Sequence, residues 1–276
     1  MIKDIVVNLS VNAKSDSACD YALSIASAFK AYLVGVAFNY EPILPGAFVG
    51  GMDAGFVDAQ RAENEKAAKA AIVKFNEATK RVGISSASRM IEASIGGAAS
   101  EFGQLARRFD LSIVKQSEPS RAMAEELLIE AALFESGRPV VVVPYIQKEP
   151  LKLERVLVCW DQSRNAARAI ADAMPFLERA KSIDLLTVSS KDTKRDEPSG
   201  ADISDHLARH ELKVEIRRIV SSDADVASAI LSFAADSAID LLVMGGYGHS
   251  LLREFILGGA TRGILTAMTV PTLMSH

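Results

Sequence analysis

Short runs of β-branched and aliphatic residues alternate along the chain with longer stretches in which apolar positions return every three or four residues. DIVVNL is followed by DSACDYALSIASAFKA, YLVGVAF, RAENEKAAKAAIVKFNEATKRV, SASRMIEA, FGQLARRF, DLSIVK, a further helical stretch, and PVVVVPY. The short runs predict buried strands and the longer ones amphipathic helices, and their alternation predicts a doubly wound parallel sheet. After Ile146 and QKEP the order begins again with RVLVCW, SRNAARAIADAMPFLERA, SIDLLTV, ISDHLARH, KVEIRRI, ADVASAILSFAADS, IDLLVMG and VPTLMS. The chain reads as two copies of one α/β unit.

The copies align at both ends: DIVVNLS with RVLVCWD, FDLSIVK with IDLLVMG, and GRPVVVVPY with TVPTLMSH. Pro139 and Pro271 open the matching last strands, a position where a residue without an N–H is tolerated. The two units are expected over residues 1–146 and 151–276. Between matched strand ends the first copy is longer by about 21 residues, which fall in NYEPILPGAFVGGMDAGFVDAQ, residues 39–60. Rich in glycine and proline yet apolar, this insert predicts an exposed lid or a loop packed on the neighbouring half. Packing is favoured, because so much apolar surface is seldom left in water.

Composition narrows the function. Hydrophobic residues make up 49% of 276, enough for a substantial core, and 31 basic against 35 acidic residues leave a net charge of −4. That balance argues against a groove for nucleic acid or an anionic membrane surface. No apolar run reaches the roughly 18 residues of a membrane span, and the opening MIKDIVVNLSVNAKSD, broken by Asn8 and Ser10, lacks a signal-peptide core. Cys19 and Cys159 fall in a predicted helix and a predicted strand without metal spacing, and read as buried thiols of a reducing compartment. A cytoplasmic location is expected.

In an open parallel sheet, ligands sit beyond the carboxyl ends of the strands where the winding reverses. In the second half those ends are Asp161 and Gly245. Gly245, Gly246 and Gly248 give the backbone freedom there and remove side chains from a ligand's path. GGATRGILTAM then predicts the start of a helix, whose free N–H groups at Gly259, Ala260 and Thr261 suit an anion.

This pattern resembles the universal stress protein family, whose nucleotide-binding members carry G-x2-G-x9-G followed by Ser or Thr. Gly245, Gly248 and Gly258 keep the spacing, with HSLLREFIL between the last two. Asp161 resembles the family's aspartate near ribose and adenine, and Val188 the second-strand residue beside adenine. His249 lies where relatives often carry histidine, so that contact with phosphate when protonated and exposure to solvent are both open. The resemblance covers both halves and implies two tandem, five-stranded, Rossmann-like parallel-sheet domains packed as an intramolecular pseudo-dimer. It implies ATP, with Mg2+, as ligand of the second half. One position departs: Gly259 replaces the family's hydroxyl, leaving Thr261 as the nearest one. In the first half Ser10 stands for the aspartate, and Lys115, Gln116 and Glu118 are expected to fill the phosphate space, so no nucleotide is expected there.

Other candidates read as structural. His206 and His210 are four apart, a spacing zinc uses, but no third ligand is evident. Arg253 and Arg262 read as solvated, Asp236 and Asp240 as ends of elements, and residues 191–197 as a solvated loop. A regulatory ATP-binding protein of the stress response is the expected function, with an unidentified protein partner and association of two chains as open possibilities. A slow ATPase would need a metal-binding carboxylate and a water-orienting base beyond Asp161. The absence of glycine in CWDQSRN and NLSVNAK argues strongly against a dinucleotide oxidoreductase. A ligand-free assembly scaffold is the remaining alternative.

Overall fold

The computed structural model describes residues 1–42, 54–118, 122–190, 200–221, 226–246 and 259–276. The first half runs β1 (Asp4–Asn8), α1 (Ser17–Phe29), β2 (Tyr32–Tyr40), α2 (Ala54–Val82), β3 (Ser86–Ala93), α3 (Ile95–Ala106), β4 (Leu111–Lys115), α4 (Ala122–Phe134) and β5 (Val140–Val143). The second runs β6 (Arg155–Cys159), α5 (Arg164–Leu177), β7 (Ser182–Ser190), α6 (Ala201–Arg209), β8 (Val214–Ser221), α7 (Val226–Asp236), β9 (Leu241–Gly245), α8 (Gly259–Ala267) and β10 (Thr272–Ser275). Central strands such as β4 and β5 are buried at every residue, which is why they read as continuous apolar runs rather than as alternation.

The strands form one sheet in the order β3-β2-β1-β4-β5-β10-β9-β6-β7-β8. Each half is parallel throughout, and the winding reverses between β1 and β4 and between β6 and β9. The two five-stranded sheets join where β5 pairs antiparallel with β10, Val142 opposite Thr272 and Val140 opposite Met274.

The same small devices recur in both halves. Asp110 Oδ2 accepts from the N–H groups of Lys3 and Asp4, at 2.8 and 3.1 Å, and so fixes the start of β1. Asp240 Oδ2 does the same for Glu154 and Arg155 at the start of β6, at 2.9 and 3.0 Å. Asp16 caps α1 by accepting from Cys19 N, and Ser163 caps α5 by accepting from Ala166 N, each cap worth about 1 kcal/mol. The buried Asp184 on β7 is paired with Arg155 of β6 and Arg217 of β8, a charge tolerated inside because it is paired.

Two expectations change. The insert is not a loop on the neighbouring half as far as it is described: Asn39 and Tyr40 end β2, and residues 54–60 open α2, which lies on β2 and β3 of its own half. α2 has 29 residues where α6 has nine; residues 43–53 lie outside the described set, as do residues 191–199. Cys19 is buried, but Cys159 is only partly so. Burial, then the charges of Asp16 and Asp20, pushes the Cys19 thiol up, and burial with Asp161 pushes Cys159 up to about 12. Both remain protonated thiols at neutral pH.

Two hydrophobic cores, one on each face of the sheet, run through both halves. On one face α1 meets α5: the rings of Phe29 and Phe176 make an edge contact at 5.0 Å, and the Arg179 guanidinium lies 4.0 Å over Phe29 while donating to Ala28 O at 2.6 Å. No described helix is long and apolar enough to cross a membrane.

Shared cores and a shared sheet are expected to couple the halves into one cooperative unit. Urea unfolding followed by the fluorescence of Trp160, the single tryptophan and located in the second half, is expected to coincide with unfolding of the whole chain followed by far-UV circular dichroism. Separated midpoints would show that the β5–β10 joint does not couple the halves.

Candidate functional site

The second switch point is assembled from three neighbouring strand ends and two helix starts. β6 gives way to Trp160, whose N–H donates to Leu186 O at 2.8 Å, and then to the exposed Asp161. Gln162 turns the chain with φ of 63°, and the Ser163 N–H donates to Asp161 Oδ1 at 2.9 Å, orienting the carboxylate at the head of α5. On one side of β6, Val188 of β7 is partly buried against the core. On the other, β9 ends at Gly245. Asp161, Val188 and Gly245 therefore lie at the carboxyl ends of adjacent strands. α8 begins at Gly259, as GGATRGIL predicts; Gly248, His249, Arg253 and Gly258 lie outside the described residues.

Gly245 has a structural reason of its own beside the one its motif suggests. A Cβ there would stand 2.6 Å from the backbone nitrogen of Ala166 and 2.7 Å from the carbonyl carbon of Asn165, so this glycine admits the first turn of α5. At Gly246 a Cβ would meet Leu133 Cδ2 of α4 at 2.7 Å, so this glycine admits the first half. Among the described glycines of this site Gly259 is the open one, with nothing within 4 Å of an added Cβ. Thr261, expected to offer a hydroxyl, is buried at 4% exposure; it contributes to packing rather than presenting an open hydroxyl. Ala260 is partly buried in the same turn, and Gly263 lies against Ala227 of α7, where a Cβ would come within 2.5 Å.

Sequence reasoning missed Asn165 and His276. Asn165 is buried, and its Nδ2 donates to Gly246 O at 2.6 Å and lies 2.9 Å from His276 Nδ1, which itself lies 3.1 Å from Gly246 O. His276 also makes an edge contact with Phe134 of α4, at 4.9 Å. Together they fix the turn that leaves β9. Nothing in the spacing of SRNAARAIA distinguishes Asn165 from an ordinary first-turn residue.

The first switch point is built from charge. Lys115 Nζ, its side chain 4% exposed, lies 2.7 Å from Glu118 and 3.0 Å from Glu125, and Glu125 also accepts from the Glu118 N–H. Burial works to lower the Lys115 pKa, but the hydrogen bonds and charges of the two glutamates outweigh it and hold it above its usual value. Tyr40 is pushed up to about 12 by burial and by Glu125. Lys115, Glu125 and Tyr40 border a cavity of about 200 Å³ together with Asn8 and Ser10. Gln116, expected to fill this space, instead points across the joint to α8.

His206 and His210 face each other on α6 with ring centres 4.9 Å apart. Among the described residues no group of three or more His, Cys, Asp or Glu side chains is placed to hold a metal ion.

Comparison with known proteins agrees with this architecture. The model of the universal stress protein family matches residues 152–276. Residues 152–276 therefore form a domain of the universal stress protein family. The universal stress protein Slr1230 of Synechocystis sp. is 25% identical over 171 residues, covering 60% of this chain, and the match spans 57% of that protein's length. Among solved structures, a universal stress protein from Archaeoglobus fulgidus DSM 4304 superposes with a TM-score of 0.68 at 14% identity, over 99% of this chain and 95% of its own. A second, from Pseudomonas aeruginosa UCBPP-PA14, gives 0.63 at 16% identity, over 99% and 93%. Both likenesses extend the shared fold across the two halves.

The glycine geometry predicts an order of damage. Gly245→Ala drives a Cβ into helix backbone and is expected to cost about 1–3 kcal/mol or more, whereas Gly246→Ala meets only the movable end of Leu133 and should cost less. Urea denaturation of the two variants checks the ranking, and equal midpoints would contradict it.

Proposed function

We propose that the chain is a tandem universal stress protein, with units 1–146 and 151–276, that binds one adenine nucleotide, ATP, in the second unit and acts as a regulator rather than by turnover. The observation that supports this best is that the spaced glycines Gly245, Gly248 and Gly258 run directly into a helix start at Gly259, beside the exposed, oriented Asp161. Asp161 accepts from a ribose hydroxyl, and Val188 borders the adenine. The first N–H groups of α8, at Gly259, Ala260 and Thr261, donate to phosphate with the positive end of the helix dipole behind them. Gly248, His249 and Gly258 complete the phosphate side. Mg2+ enters on the phosphates of the nucleotide, as is usual for this ion.

The first unit is proposed to hold no nucleotide. Lys115 with Glu118 and Glu125 carries a formal charge of −1 beside the cavity, which repels a polyphosphate. Packing of Gly245 and Gly246 against protein favours one competing reading, a ligand-free scaffold. Calorimetric titration separates the two: one ATP per chain is expected, and two equal sites or none would overturn the proposal.

Gly259→Ser is expected to tighten ATP binding. The position has no neighbour within 4 Å of an added Cβ, and serine suits a helix start. The gain is at most about 1.5–3 kcal/mol, or about ten- to a hundredfold in affinity, the worth of one hydrogen bond to a charged group. Equal or weaker binding by a folded variant would show that the missing hydroxyl does not limit the site.

A further inference from the structure

Gln116 stands one residue beyond β4, at the position Gly246 holds beyond β9. The residue is 1% exposed, and its side chain crosses from the first half to the second. Nε2 donates to Leu265 O at 2.9 Å and to Thr266 O at 3.2 Å, and Oε1 accepts from Tyr145 N at 3.4 Å. Leu265 and Thr266 are in the last turn of α8, where carbonyls have no partner within the helix. In the opposite direction Gly246 has no side chain to send, and Leu133 of α4 lies against it. The first half therefore touches the second half's candidate site twice, at the turn after β9 and at the far end of α8.

We propose that Gln116 is a positioning residue, through which the first half holds α8 and thereby sets the affinity of the second half for nucleotide. A helix of nine residues has little stability of its own, so its place is decided by what it touches. Close packing of Gly263 on Ala227 holds its middle to α7, and Gln116 holds its carboxyl end. Because the helix is rigid along its axis, a shift at Thr266 moves the N–H groups at Gly259 with it, and hydrogen bonds to an anion weaken steeply once their length and angle are lost. The consequence for affinity rests on the nucleotide reading above, whereas the hold on α8 stands apart from it.

The test uses the full chain and two measurements, amide hydrogen exchange without nucleotide and titration with ATP in the presence of Mg2+. Gln116→Leu keeps the bulk and removes the donor; Gln116→Glu keeps the shape and sets an acceptor against two carbonyls. Both are expected to speed exchange across α8 about tenfold while leaving α5 unchanged, and to weaken ATP binding about tenfold. Arg179→Ala serves as the control, since it removes a contact between the halves on the other face of the sheet without touching α8, and it should leave ATP affinity at the wild-type value. Wild-type exchange in α8 of both Gln116 variants would overturn the proposal, as would an equal loss of ATP affinity in Arg179→Ala. If the wild-type chain binds no ATP, the nucleotide reading falls and the affinity claim with it, while α8 exchange still decides whether Gln116 holds the helix.

Discussion

The pairing of β5 with β10 is the constraint on which the rest of the molecule depends. Each would otherwise be the edge of a five-stranded sheet, with a row of backbone N–H and C=O groups seeking partners. Paired with each other, Val140 to Val143 and Thr272 to Ser275 are all buried, and neither edge remains open. The joint brings α1 against α5 on one face and places α4 and α8 within reach of the opposite half on the other. Contacts that cross it, from Arg179 to Ala28 and from Gln116 to α8, exist only because the two sheets share one plane.

On this nearly symmetric frame the two switch points differ in kind. The second is formed by backbone: glycines that admit a helix, an oriented aspartate, and a helix start without a side chain at Gly259. The first is formed by a buried lysine held between two glutamates. Parallel winding dictates where each site lies, and the residues at the ends of β4 and β9 dictate its chemistry.

Much of this was legible in the chain itself. Buried strands between crossover helices must be β-branched and apolar, so the order of elements and the last strands after Pro139 and Pro271 could be read directly. The start of α8 at Gly259 was legible for the same reason, since GGATRGIL passes from turn residues to a helical period. The role of Gly245 was not, because glycine marks a close approach without saying whether a ligand or a helix approaches. Residues 54–60 of the insert misled because the prolines and glycines at 42–51 before them suggested a loop, whereas AGFVDAQRAENEKAAKAA is a continuous run of helix-forming residues. Gln116 stood in a charged stretch, KQSEP, and its direction depends on a joint formed by residues far away in sequence.

The two helix caps, Asp16 and Ser163, align the halves closely enough to compare them residue by residue. Where the second half has Gly245 beneath Asn165, the first has Lys115 and Ala18: small and large have changed places. Lys115→Gly alone would leave two carboxylates without their cation, and Gly245→Lys alone would force a side chain into the first turn of α5. Neither exchange is tolerated alone, because each residue fits only the neighbours that its own half places around it.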